Sequence, residues 1–75
     1  MSDRYREDRV VHGLTETGAE IVRYERAGKW YAEPTDGGKR SKVTITRAVE
    51  LAIAGTVFPN RAGGQAFNAK VAKLR

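Results

Sequence analysis

No cysteine occurs in the 75 residues of this chain, so neither a disulfide nor a thiolate-bound metal can hold it together. A lone histidine, His12, is too little for a zinc site once thiolates are absent. What remains is apolar burial, and a chain of this length hides only about 60% of the surface that it exposes when unfolded. One small domain is therefore the expectation, with a homodimer as one way to bury more. Its core must come from short regular elements that meet closely, and glycine-marked turns cut the chain into pieces of suitable length.

Residues 1–8 alternate charge signs and hold one large apolar group, Tyr5; they are expected to form a flexible leader ahead of a domain spanning 9–75. Val10-Val11-His12-Gly13-Leu14 is a short apolar run, closed by a turn at Thr15-Glu16-Thr17-Gly18. Ile21, Val22 and Tyr24 are strand formers. Val22 and Tyr24 fall on one face of that strand, Ile21 and Arg23 on the other. Arg26-Ala27-Gly28 suits a hairpin loop with glycine at its left-handed end. The returning strand, Lys29–Glu33, turns Trp30 and Ala32 one way and Tyr31 and Glu33 the other, and Pro34 ends it. After Asp36-Gly37-Gly38, the segment Arg40–Ile45 alternates again. It puts Ser41, Val43 and Ile45 inward and Arg40, Lys42 and Thr44 outward. Thr46 is placed to cap a helix over Arg47–Ala54 that Gly55 stops. Thr56–Phe58 reads as extended. Gln65–Leu74 predicts a last helix, with Phe67, Val71 and Leu74 on one face. The class expected is α+β: a three- or four-stranded antiparallel β-meander packed on one helix, with a short C-terminal helix.

Charge is unevenly spread. Residues 1–38 carry a net −2 and residues 39–75 a net +7. Such asymmetry points to a polyanionic partner, or else to a solvated surface that keeps a small protein in solution. No apolar run approaches the ~18 residues of a membrane span, and the charged start lacks the apolar stretch of a secretory signal. A cytoplasmic, membrane-free location is the expectation. No nucleophile sits with a base and an orienting acid, and none of the glycine loops has the phosphate-loop pattern. The chain reads as a non-enzyme without metal or cofactor.

The candidate binding surface is the outward row of the third strong strand. Lys39, Arg40, Lys42 and Thr44, joined by Arg23 and Tyr31 from neighbouring strands, would give a sheet face able to meet DNA phosphates and base edges. Glu20, Glu25 and Glu33 on the same sheet dilute that field. Trp30 and Tyr31 each have two uses open to them, stacking on unpaired bases or filling a small core. A second surface is the loop 60–65, where Arg61 and flexible amides could hold an anion at the start of the last helix, or serve only as a linker. A different class of function is a protein-interaction module, binding a host protein or a second copy through Phe58, Arg61, Phe67, Lys70, Val71 and Leu74.

The run Ile21–Ala32, then Gly38-Lys39-Arg40, then Val43-Thr44-Ile45-Thr46-Arg47-Ala48 resembles two families over residues 20–55. One is the arm-type DNA-binding domain of phage integrases, a three-stranded sheet on a helix. That resemblance implies that Arg40 and Lys42 contact the major groove. The other is the HicB-type antitoxin, whose meander also leads into a helix. Glu33-Pro34 and the glycine-rich extension depart from the integrase pattern. In overall style the chain is similar to small proteins of actinobacterial bacteriophages.

Overall fold

The computed structural model describes residues 7–59 and 61–75. Residues 1–6, most of the expected leader, and Asn60 of the glycine-rich loop lie outside them. In order the chain forms β1 (Arg9–Leu14), β2 (Glu20–Tyr24), β3 (Lys29–Glu33), β4 (Ser41–Val43), α1 (Ile45–Ala54), β5 (Thr56–Val57) and α2 (Gln65–Leu74). The expected α+β class is what forms. The sheet is antiparallel in every pairing and runs β4-β3-β2-β1-β5.

It has five strands rather than three or four. The stretch read as extended at Thr56 returns after α1 and pairs with β1, Gly13 facing Val57 and Leu14 facing Thr56. Two glycines allow this approach. A Cβ on Gly13 would strike the Thr56 carbonyl, and one on Gly55 would strike the backbone of Leu14 and Thr15. Gly55 therefore matters for closeness; its φ of −109° is open to any residue. Asp8, assigned to the leader, belongs to the fold. It is buried, its carbonyl accepts from Glu25 N at 3.0 Å, and its Oδ2 accepts from Arg26 N at 3.1 Å. It thereby steadies the β2–β3 turn, where Gly28 takes the expected positive φ of 64°.

Period-2 alternation sorts the side chains as expected through β2 and β3. The register pairs Ile21 with Ala32 and Arg23 with Trp30, and continues from Trp30 to Val43; these residues face the helices. Tyr24, Tyr31, Glu33 and Lys42 share the other side. Ile21, Trp30, Ala48, Val49, Ala52, Phe67 and Val71 form the core. Both helices supply it, so α2 is as much part of the packing as α1. Phe67 stacks on Trp30 with ring centres 5.4 Å apart and 16° between planes.

The start of α1 differs from the sequence reading by two residues. The cap is Thr44, whose hydroxyl accepts from Arg47 N at 3.1 Å; Thr46 lies inside the first turn. Ile45 is helical, so β4 ends at Val43 and the outward row is shorter than expected. Thr44 precedes the helix and caps Arg47 N, whereas Ala48 N, which a cap at Thr46 would serve, already bonds the Thr44 carbonyl. Replacement Thr44→Ala should cost about 1 kcal/mol in urea unfolding, whereas Thr46→Ala should be close to neutral. Equal losses, or a larger one at Thr46, would restore the sequence-based boundary.

Candidate nucleic-acid interface

The sheet side away from the helices is a polar network centred on Glu33, which is 7% exposed. Arg9 donates to it from Nη2 at 2.8 Å and from Nε at 3.2 Å, and also reaches Glu20 at 2.9 Å. The Tyr24 hydroxyl donates to Glu33 Oε2. Arg40 Nη1 lies 3.5 Å from the same oxygen, with its guanidinium 4.2 Å from the Tyr31 ring centre. Burial alone would raise the Glu33 pKa, but the hydrogen bonds from Tyr24 and Arg9 outweigh it and hold the carboxyl below its usual range. Burial likewise opposes the charge on Arg9, and Glu33 and Glu20 more than restore it. Tyr24 is pushed up by burial and by the adjacent carboxylate.

This network takes apart the row predicted for DNA. Arg40 precedes β4 instead of lying in it, and it stands over Tyr31 beside Glu33. Arg23 is on the opposite side of the sheet. It donates to Ala62 O at 2.9 Å and His12 Nε2 at 3.3 Å, and pairs with Glu25 at 3.2 Å. Thr44 is spent as the helix cap. Lys39 is exposed in the loop before β4. Only Tyr31 and Lys42 sit as expected, directly opposite each other across β3 and β4.

The apolar surface predicted on α2 is also mostly internal. Phe67 is 0% and Val71 6% exposed, leaving Leu74 as the large apolar residue in the open at 56%. Lys70 is exposed. Arg61 is exposed and lies over the Phe58 ring at 5.0 Å. Of the apolar set Phe58, Phe67, Val71 and Leu74, then, two members fill the core.

Cations gather elsewhere. Lys29 and Lys42 are neighbours at the end of the sheet, where the β2–β3 hairpin meets the β4–α1 junction. They line an open cleft of about 470 Å³ with Trp30, Val43, Thr44 and Ile45. The ammonium of Lys29 beside Lys42 pushes the Lys42 pKa down. On the other flank of the same helix start, Thr46 meets Lys70, Lys73 and Leu74 around a smaller cleft of about 130 Å³. No acid lies in the first turn of α1. Among the described residues, no carboxylate pairs with any of these four lysines. Sequence reading missed Lys29 and Lys73, because the signal is a meeting of distant segments.

His12 is fully buried and accepts a hydrogen bond from Arg23. It packs 4.9 Å from Trp30 and 5.3 Å from Phe67. Because Arg23 donates to Nε2, the proton of the neutral ring is on Nδ1, which has no partner. Among the described residues, no group of three or more potential ligands could hold a metal ion. None of the helices there is long and apolar enough to cross a membrane. No family model matches the chain, and no curated protein or solved structure matches it, so the two family resemblances stand on the residues quoted for them.

Burial, with Arg23 and Arg61 nearby, lowers the His12 pKa from 6.5 to about 4. Between those values the unfolded chain binds a proton that the folded chain refuses. Stability is therefore complete above the unfolded pKa of 6.5 and declines as pH falls toward 4, by about 3 kcal/mol in all. Urea midpoints taken across that interval should fall for the wild type and stay nearly level for His12→Phe. A wild-type midpoint that does not move would mean that the ring is hydrated and readily protonated.

Proposed function

We propose that this protein binds nucleic acid, DNA in the first instance, by contacting backbone phosphates with the basic end that surrounds the start of α1. The observation that carries this reading is the convergence of Lys29 and Lys42 on one flank, and of Lys70 and Lys73 on the other. All four are exposed and without an acidic partner among the described residues. Like charges brought together at a surface raise the local potential, and a polyanion relieves it by releasing its own counterions. Arg47, exposed in the same first turn, adds to that field although it leans toward Glu50 at 3.5 Å. The positive helix end is uncompensated by any acid there. Ammonium groups act on phosphate as point charges, which suits sequence-tolerant binding.

The sheet face is a poorer candidate for the same role. Arg9 and Arg40 there stand beside Glu33, with Glu20 next to Arg9. The basic end keeps Lys42 and Thr44 from the original row and leaves out Arg23, Tyr31, Lys39 and Arg40.

Fluorescence anisotropy with a labelled duplex tests this. Affinity should drop steeply between about 50 and 200 mM salt. The paired replacements Lys29→Ala/Lys42→Ala and Lys70→Ala/Lys73→Ala should each flatten the log–log salt slope by about 2. Arg40→Ala should leave it nearly unchanged. If Arg40→Ala flattens the slope and neither lysine pair does, the sheet face is the binding surface after all.

A further inference from the structure

We propose that the larger cleft, between the β2–β3 hairpin and the β4–α1 junction, takes an unpaired nucleotide, so that the preferred partner is single-stranded nucleic acid. This rests on the nucleic-acid reading above and narrows it. The two clefts beside α1 differ in size. The smaller, with Lys70 and Lys73, is about 130 Å³ and has room for little more than a phosphate. The larger, about 470 Å³, is within the size range of small-ligand sites. Its two ammonium groups stand together, and Trp30, Val43 and Ile45 give its wall an apolar part beside Ala27, Gly28 and Thr44. A phosphate has no use for that apolar wall, whereas a nucleobase does. A duplex keeps its base faces stacked inside and offers edges and phosphates only. A single strand can turn a base out onto apolar side chains while its phosphates stay on cations.

The side-by-side placement of Lys29 and Lys42 fits an anion between them. The neighbouring Lys29 ammonium holds the Lys42 pKa down, and an anion between the two would relieve that repulsion. The two clefts are also close along the chain. Thr44 and Ile45 border the larger and Thr46 the smaller, and adjacent Cα atoms are about 3.8 Å apart. A strand can therefore seat one base in the larger cleft and run a neighbouring phosphate over the first turn of α1 to Lys70 and Lys73.

Trp30 is the sole tryptophan and lines the cleft, so its emission reports occupancy. The intact protein is titrated with oligothymidylate, with a duplex of equal length and with thymidine monophosphate. The single strand should bind about tenfold or more tighter than the duplex, the difference expected of one seated base, and should change Trp30 emission. Lys29→Ala/Lys42→Ala should abolish the preference. Lys70→Ala/Lys73→Ala should weaken both ligands alike and keep it. Lys39→Ala, at an exposed loop position, should alter neither. Duplex binding as tight as the single strand, still salt-sensitive and silent in Trp30 emission, overturns the cleft and leaves the basic end standing. Absence of salt-sensitive binding to either nucleic acid overturns both. A mononucleotide that binds as tightly as the oligomer makes the cleft a small-molecule site and also overturns the proposal.

Discussion

The burial of one carboxylate, that of Glu33, governs how charge is disposed over this protein. An ionised group at that depth is tolerated only with partners of opposite charge and donors for its lone pairs. Arg9, Tyr24 and Arg40 come from three different segments to supply them. Two cations that would otherwise stand on an open sheet face are consumed in the process, and Glu20 holds Arg9 further. The part of the face around Glu33 becomes a charge-balanced, interlocked layer, with Lys29 and Lys42 left at its end. The excess positive charge of the second half of the chain is then expressed where carboxylates are lacking, around the start of α1.

Packing imposes the matching constraint on the other side of the sheet. A core this small depends on large side chains, and Trp30 meets Phe67 from α2 and His12 from β1 at once. The face of α2 that could have offered an apolar surface to a partner is turned inward by that demand. Its outer side keeps Lys70 and Lys73. The same stack encloses the His12 ring, which stays neutral between Arg23 and the aromatic groups because protonation would add a cation beside cations.

Much of the architecture was legible in the sequence because the relevant signals are local. Alternation set Trp30 with Ala32 and Ile21 with Arg23 within their strands, and Phe67 and Val71 showed the spacing of one helical face. The error at the start of α1 is also local. Thr44 and Thr46 flank Ile45, and the run from Val43 to Ile45 alternates as a strand would. What separates them is which hydroxyl meets a free amide, and that is a matter of geometry. The binding surface was legible only in part. That Arg23 stands with Trp30 follows from register, and that Arg40 meets Glu33 requires the loop through Pro34 and Gly38 to fold back. The nearness of Lys29 to Lys42 depends on how β3 and β4 align, and that of Thr46 to Lys70 and Lys73 on how the helices dock. Spacing along a chain carries none of these relations.

The place of β1 has a consequence for how the protein comes into being. It is made before its outer neighbour, β5, which follows only after α1. Until then one side of β1 offers unpaired backbone groups, the kind of edge that invites association with other chains. The aromatic residues beneath α2 stay uncovered longer still, since Phe67 and Val71 come after β5 in the chain. Folding therefore proceeds at a pace set by pairings between distant segments.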